Sequence, residues 1–294
     1  MNASNYTRGV MVMILSTILF SFMAFLTGLV DGIGFFRIGL YRFGVGAVTL
    51  ATLALVGKIE LKFVNKKVLL LRGTIGGIAV ILFFMSMQKL GIAIGTVVSF
   101  TYPIFATVGS VVFLKEKVHP LVWLILVAAT AGIFLITPSS NAISADPETV
   151  VWFVLSLIGA VASGVAVVCI KKLTRTDSSY AIFMAQCAIG FWIVAVPANA
   201  TPITTGWSDG MLLVAIGMVA VMGQLTMTWS YNHIPVSTGS LLSMITPIFN
   251  VFIGVLLFQE ILSAREITGA VLVLACCTGT TVLGKRVVQP PMTE

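Results

Sequence analysis

Apolar residues come in long runs along this chain, separated by short stretches rich in charged residues, glycine or proline. A helix needs about 20 residues to cross a bilayer, and each run is close to that length or longer. The pattern predicts ten membrane-spanning helices, at residues 9–30, 33–57, 68–88, 91–114, 119–137, 149–170, 179–197, 209–231, 234–258 and 263–284. The runs 33–57 and 91–114 exceed a straight crossing, so tilt or a kink is expected there.

The composition supports lipid as the main solvent of the chain. Of its 294 residues, 58% are hydrophobic and only 9% are charged, whereas a soluble domain carries about 25% charged residues. Ten spans with short connections use most of the chain, which leaves nothing for a soluble catalytic domain. We therefore predict an all-α integral membrane protein that is not an enzyme.

The positive charges predict how the helices are oriented. The formal net charge is +7, and an N-terminus in the cytoplasm places most Lys and Arg residues of the loops on the cytoplasmic side. This cytoplasmic set is Lys58, Lys62, Lys66, Lys67, Arg72, Lys115, Lys117, Lys171, Lys172, Arg175, Lys285 and Arg286. The opposite side carries Lys89 and Arg265 with Asp31, Asp146, Glu148, Asp209 and Glu266. We predict that both termini are cytoplasmic, and the basic charge indicates membrane topology rather than nucleic-acid binding.

An internal repeat with an offset of 144 residues relates the two halves of the chain. The segment SFTYPIFATVGSVVFLKE at 99–116 returns as SMITPIFNVFIGVLLFQE at 243–260. Because each unit holds five predicted helices, an odd number, the second unit must enter the bilayer in the opposite direction. We predict two inverted five-helix repeats, at residues 8–138 and 149–286, which is the architecture of many secondary transporters that work by alternating access.

These residues resemble the EamA-type ten-helix carriers of the drug/metabolite transporter superfamily. The resemblance rests on the doubled P-I-F tract with its following Glu, on the Arg of FFRIGLYRFGVGA, and on Gly269 in EITGAVLVL. Two positions depart from the family pattern: Phe20 stands where Trp is frequent, and Cys276 stands where Gly132 of the other half predicts a glycine. The resemblance covers essentially the whole chain. It implies transport of a small metabolite such as an amino acid, a nucleotide-like compound or a vitamin, and names no cargo.

Arg37 and Arg42 are the charges that this topology places well inside an apolar run. Arg42 lies roughly 14 Å from the outer end of its helix at about 1.5 Å per residue, where a cation costs at least about 2.5 kcal/mol. It should therefore face a cavity or the bundle interior. We predict that Arg42 contacts the substrate, with bonding to backbone carbonyls of a neighbouring helix as the alternative. A structural role is favoured for the shallower Arg37.

Polar residues at helical spacing form further inward-facing stripes, with ordinary interhelical hydrogen bonding as the alternative function. The candidates for substrate contact are Ser99, Tyr102, Gln186, Gln224, Thr228, Thr246 and Asn250. The offset pairs Gln186 with Arg42, so a site between the halves would combine a neutral amide with a cation. The bulky residues Phe83, Phe84, Met85 and Met87 are interpreted as packing or lipid-facing side chains.

Two prolines and two glutamates occupy matching positions in the repeats. Pro103 and Pro247 lie deep within predicted spans, where each removes a backbone hydrogen bond and predicts a kink that is either a hinge or a static packing feature. Glu116 and Glu260 follow the same helices, where a carboxylate either caps a helix N-terminus or takes part in gating. The glycine spacing at 73–77 fits packing within the bundle and a dimer contact equally well.

The predicted spans contain no Asp, Glu or His at membrane depth, so a proton relay within the protein is not expected. Facilitated diffusion, exchange or coupling through the charge of the substrate is expected instead. A fixed cation favours a carboxylate-bearing substrate such as an amino acid, and we expect efflux across a bacterial cytoplasmic (inner) membrane by a monomer or homodimer without cofactor or metal. The alternatives are uptake of a vitamin or nucleoside-like metabolite, of riboflavin or S-adenosylmethionine type, and a passive channel.

Overall fold

The computed structural model describes residues 3–30, 32–136, 147–199, 206–258 and 263–288, and the regular structure within these ranges is helical. The helices are α1 (Ala3–Gly28), α2 (Phe35–Leu55), α3 (Lys66–Ser99), α4 (Tyr102–Leu114), α5 (Pro120–Ile136), α6 (Pro147–Leu173), α7 (Ser179–Asn199), α8 (Trp207–His233), α9 (Val236–Ser243), α10 (Thr246–Phe258) and α11 (Ala264–Val288). Over the described ranges, nine stretches are long and apolar enough to cross a membrane, and α5 is a shorter apolar helix of 17 residues. These ten segments fall at the ten predicted positions.

The third and fourth spans are joined through α3, which runs for 34 residues. A straight helix of that length would measure about 50 Å, far more than the roughly 30 Å hydrocarbon core. A Cβ atom on Gly95 would lie 2.8 Å from the backbone nitrogen of Met87, whereas eight residues of straight helix are about 12 Å apart. The backbone therefore reverses direction between these two residues, where the sequence predicts the boundary between two spans.

The spans that contain Pro103 and Pro247 are broken completely, so the kinks predicted at these two prolines are helix ends. One break separates the end of α3 from Tyr102, and the other separates the end of α9 from Thr246. Each proline is the second residue of a new helix, a position where the missing N–H group costs no intrahelical bond. The two breaks meet between the halves, because the hydroxyl groups of Tyr102 and Ser243 are hydrogen-bonded to each other.

Helices of the two sequence halves pack in an interleaved order. The largest contacts join α1 to α8, α3 to α6, α5 to α11 and α2 to α7. An offset of 144 residues takes α1 to α6 and α3 to α8, so the contact of α1 with α8 is equivalent to the contact of α3 with α6. The same offset takes α5 to α11 and α2 to α7, so each of the other two contacts joins a helix to its own counterpart. A shared core results, in which Met13 of α1 and Leu126 of α5 belong to the same buried cluster as Tyr231 of α8.

Glycines allow close approach at two of these helix contacts. A Cβ atom on Gly269 of α11 would lie 2.5 Å from the carbonyl oxygen of Gly132 on α5. A Cβ atom on Gly73 of α3 would lie 2.6 Å from the carbonyl oxygen of Ala185 on α7, and Gly77 also packs against α7. The glycine spacing at 73–77 therefore mediates packing inside the bundle.

Candidate functional site

A cavity of about 650 Å³ lies between the two halves of the chain. Its walls come from α1, α2, α3, α4, α6, α7, α8, α9 and α10, so both repeats contribute. The cavity extends to Val30, Ile33 and Gln88, where α1 ends and α3 reverses direction. We call this end of the bundle, marked by Val30, Ile33 and Gln88, the open end.

Seven of the eight side chains predicted to contact the substrate line this cavity. They are Arg42, Ser99, Tyr102, Gln186, Gln224, Thr246 and Asn250. Thr228 is fully buried and is not among the residues that line the cavity, so its predicted contact with the substrate stays a prediction. Its hydroxyl donates to the carbonyl oxygen of Gln224 at 2.8 Å, so its own helix satisfies it.

Arg42 is held in the cavity wall by an aromatic ring. Only 6% of its surface is exposed, and its guanidinium lies 5.9 Å from the ring centroid of Phe20. A cation over an aromatic face is stabilised by the quadrupole of the ring. Among the described residues nothing accepts a hydrogen bond from the buried Arg42 Nε–H.

Arg72 is a second cation in the same cavity, and the prediction that it sits at the cytoplasmic surface is wrong. It is 2% exposed, and its Nη2 donates to Gln186 Oε1 at 2.8 Å. The amide of Gln186 in turn donates to the carbonyl oxygen of Gly76 at 3.1 Å. Arg72 Nε and Nη1 have no acceptor within the part of the chain that the structure describes. The neighbouring lysines at 66 and 67 made Arg72 look like one more surface charge, although Gly73, Gly76 and Gly77 could have indicated a tightly packed helix face.

Arg37 has the structural role that the sequence predicts for it. Its Nη2 donates to the carbonyl oxygen of Ala198 on α7 at 2.8 Å, and the side chain does not line the cavity. The bond to a neighbouring helix compensates part of the cost of burying this cation. Arg37 therefore stabilises the contact between α2 and α7.

Neutral polar groups add unused hydrogen-bonding capacity to the cavity. Gln224 Nε2 is a donor and Asn250 Oδ1 is an acceptor, and both lack partners among the described atoms. A buried polar group without a partner costs about 1–3 kcal/mol, so a ligand that satisfies these groups would recover that cost. The cavity thus offers a neutral donor and a neutral acceptor beside its two cations.

Much of the remaining wall is aromatic or aliphatic. Phe83, Phe84 and Met87 line the cavity, and Phe83 and Phe84 also belong to a buried apolar cluster, in agreement with their interpretation as packing residues. Phe20, Phe25 and Phe100 add further aromatic surface. The described lining residues include no Asp and no Glu, so the two cations are not neutralised there.

The opposite end of the bundle is closed by two loops that pair with each other. We call it the closed end and define it by the α2–α3 loop, 56–65, and the α6–α7 loop, 174–178. Asp177 Oδ1 accepts from the backbone N–H groups of Val64 at 2.7 Å and Asn65 at 3.2 Å. The backbone N–H of Ser178 donates to the carbonyl oxygen of Lys62 at 3.3 Å, and the N–H of Lys62 donates back to Ser178 Oγ at 3.2 Å.

The α8–α9 connection is bonded by one side chain from each half of the chain. Glu116 Oε2 accepts from the backbone N–H of Val236 at 3.1 Å, at the start of α9. Lys171 Nζ, from the second half, donates to the carbonyl oxygens of Tyr231 at 2.6 Å and Ile234 at 2.8 Å. Glu116 of the first half therefore caps a helix of the second half. Glu260, Asp31 and Asp146 lie outside the described residues.

Comparisons with known proteins agree with this architecture. A crystal structure of a protein that is 16% identical superposes with a TM-score of 0.81, covering 94% of this chain and 98% of the other chain. The pseudopaline exporter CntI of Pseudomonas aeruginosa is 26% identical over 251 residues, which cover 82% of this chain and 84% of the exporter. Solute carrier family 35 member G1 of Mus musculus is 22% identical over 295 residues, which cover 93% of this chain and 78% of that carrier.

The family assignment follows from a match to both halves of the chain. The model of the EamA-like transporter family matches residues 7–137 and again residues 150–282. The protein is thus a multi-pass membrane transporter and not an enzyme. It belongs to the EamA-like transporter family, within the drug/metabolite transporter superfamily.

Proposed function

We propose that this protein is a secondary transporter that exports a small carboxylate-bearing metabolite, such as an amino acid, across the bacterial inner membrane by alternating access. The observation that supports this most strongly is the cavity of about 650 Å³ between the halves, to which both halves contribute side chains. Its wall holds two buried arginines and, among the described lining residues, no carboxylate. A concave, largely apolar site with a few polar groups is typical of small-molecule binding.

Alternating access is supported by the way the two halves pack. Two inverted repeats of similar structure can exchange conformations, and the exchange converts a cavity open at one end into a cavity open at the other. The helix contacts between α1 and α8 and between α3 and α6 are the exchanging pairs that such symmetry requires. If both termini are cytoplasmic, the open end faces the outside and the closed end faces the cytoplasm.

The substrate class follows from the electrostatics of the cavity. A buried cation is costly unless it is paired, and a carboxylate of the substrate would pair with Arg42. The name of the Pseudomonas aeruginosa relative describes an exporter, which favours outward transport for this chain too. Because the described cavity wall carries no Asp or Glu, we propose exchange or facilitated diffusion without a proton relay in the cavity.

The test is uptake by proteoliposomes from a pooled extract of small metabolites, read by mass spectrometry. Wild-type protein should accumulate a few carboxylate-bearing compounds above the level in protein-free liposomes. Arg42→Gln should reduce their initial rate at least about tenfold, because it removes one partner of a buried charge pair. Preloading with the same compound should accelerate uptake, as expected for a carrier that exchanges.

Arg265→Gln is the matched control, since Arg265 is a half-buried arginine that does not line the cavity and whose Nη2 donates to the carbonyl oxygen of Phe134 at 3.1 Å. This variant should transport like the wild type. Equal uptake by Arg42→Gln and wild type would refute the role of Arg42. Uptake no greater than in protein-free liposomes would refute the proposed transport of carboxylates altogether.

A further inference from the structure

We infer that the cavity has two anion subsites and that its preferred substrates carry two carboxylates, one bound by Arg42 and the other by Arg72 with Gln186. This inference rests on the proposed transport function and narrows the substrate class of that same cavity. A monocarboxylate needs only one cation, so the second arginine is the feature to explain.

Arg72 is built into a fixed position by its own helix and by α7. Gln186 accepts from Arg72 Nη2 at 2.8 Å and donates to the carbonyl oxygen of Gly76 at 3.1 Å, so both ends of the amide are used. A Cβ atom on Gly76 would lie 1.7 Å from Arg72 Nη1, which shows that the guanidinium occupies the space above this glycine. Nε and Nη1 remain without acceptors among the described residues. A carboxylate could accept from this preoriented guanidinium.

Arg42 is held differently and forms a separate subsite. Its guanidinium lies 5.9 Å from the centroid of the Phe20 ring, which provides one stacking face and leaves the Nε–H without an acceptor in the described chain. Two neighbouring residues of α7 connect the two arginines. Gln186 bonds to Arg72, and Cys187 packs against Gly46, which lies one helical turn after Arg42 on α2: a Cβ atom there would lie 2.6 Å from Cys187 Sγ. The two cations are therefore close enough to act on one small molecule.

The charge balance of the cavity requires more than one anion. Arg42 is 6% exposed and Arg72 is 2% exposed, and neither shares the cavity with an Asp or Glu among the described lining residues. Two unneutralised cations at membrane depth repel each other. One carboxylate leaves a net positive charge in the occupied site, whereas two carboxylates neutralise it.

The rest of the wall suits a substrate whose carboxylates are joined by an apolar or aromatic part. Phe20, Phe83 and Phe84 present rings to the same cavity. Gln224 Nε2 and Asn250 Oδ1 offer one further donor and one acceptor that lack partners in the described chain, so a polar substituent can be bound as well. These features favour binding of an amphipathic dicarboxylate over binding of a small, fully hydrated one.

The experiment measures binding of adipate, suberate and isophthalate to the purified full-length protein in lipid nanodiscs by calorimetry, together with the monoamide of each acid. At least one dicarboxylate should bind about tenfold or more tightly than its monoamide, because the amide leaves one buried cation unpaired. Arg42→Gln and Arg72→Gln should each remove this preference, and Arg265→Gln should keep it. Equal affinities for acid and monoamide, or no binding of any dicarboxylate, would overturn the inference.

Gly76→Ala tests whether the position of the Arg72 guanidinium matters, because this substitution leaves the charge of Arg72 unchanged. The new methyl group displaces the flexible end of Arg72, so the fold should persist while the dicarboxylate preference falls to that of Arg72→Gln. Gly44→Ala is the matched control, because its Cβ would meet Phe191 at an ordinary distance of 3.5 Å. If Gly76→Ala keeps the full preference, Arg72 is not a carboxylate subsite.

Two other outcomes distinguish this inference from the proposed function. Tighter binding of hexyl phosphate than of every dicarboxylate, lost in both arginine variants, would replace dicarboxylates by phosphates as the ligand class. Proteoliposome transport of a monocarboxylate that depends on Arg42 and not on Arg72 would overturn the two-subsite inference while leaving the proposed function intact.

Discussion

A disulfide between the α2–α3 and α6–α7 loops, introduced by Lys62→Cys with Ser178→Cys, should reduce transport to the level of protein-free liposomes. The backbones of these two residues are joined by a hydrogen bond of 3.3 Å from the Ser178 N–H to the Lys62 carbonyl oxygen. The Lys62 N–H also donates to Ser178 Oγ at 3.2 Å, so the two residues lie side by side, as a disulfide requires. Alternating access requires the closed end to open, and a covalent bond across it prevents that step.

The measurement is uptake before and after oxidation of the double-cysteine protein, followed by reduction. The four native cysteines are buried, so oxidation should be confined to the introduced pair. Each single-cysteine variant serves as a control and should transport equally under both conditions. Full transport by the oxidised double variant would mean that the closed end stays closed during the cycle.

Gly269→Ala should lower the free energy of unfolding by about 1–3 kcal/mol, the usual cost of overpacking a close contact. Its Cβ would lie 2.5 Å from the carbonyl oxygen of Gly132 and 2.8 Å from the backbone nitrogen of Ile136. Backbone atoms cannot move aside as a flexible side chain does, so α5 and α11 would have to separate. Denaturant unfolding of the protein in detergent micelles measures the effect.

Gly279→Ala is the control for this substitution on the same helix. A Cβ atom there would first meet Ile125 Cδ1 at 3.7 Å, an ordinary contact, and alanine has a higher helix propensity than glycine. This variant should be as stable as the wild type or slightly more stable. Similar stability losses in both variants would show that the α5–α11 contact does not depend on the glycine at 269.

The sequence pattern was sufficient to predict the helices and the location of most of the site. Runs of apolar residues give span positions directly, because lipid demands them, and the segments at the ten predicted positions follow this rule. The doubled P-I-F tract located the two central breaks, although it predicted kinks. Proline is compatible both with a kink and with the first turn of a new helix. The sequence alone does not distinguish these two structures, because the difference lies in the backbone conformation of the residues before the proline.

The burial of Arg72 could not be predicted from the sequence. Hydropathy assigns a charge near a span boundary to the surface, whereas the position of Arg72 depends on Gln186, which is 114 residues away in the chain. Thr228 shows a second limit of the sequence pattern. Helical spacing places it on a face with Gln224, but its hydroxyl donates to the Gln224 carbonyl oxygen of its own helix at 2.8 Å. The local pattern does not determine which partner a polar side chain takes.

The interleaved packing of the halves has a consequence for biogenesis. Ser16 of α1 donates to the carbonyl oxygen of Gly223 on α8, a partner 207 residues later in the chain. At a synthesis rate of about 5–20 residues per second, α1 must remain in the membrane for roughly 10 s or longer before that partner exists. During this interval the helices of the first half carry polar groups, including Arg42 and Arg72, whose final surroundings are still being made. The bundle can therefore be completed only after α8 has been synthesised, because α1 has its most extensive helix contact with α8.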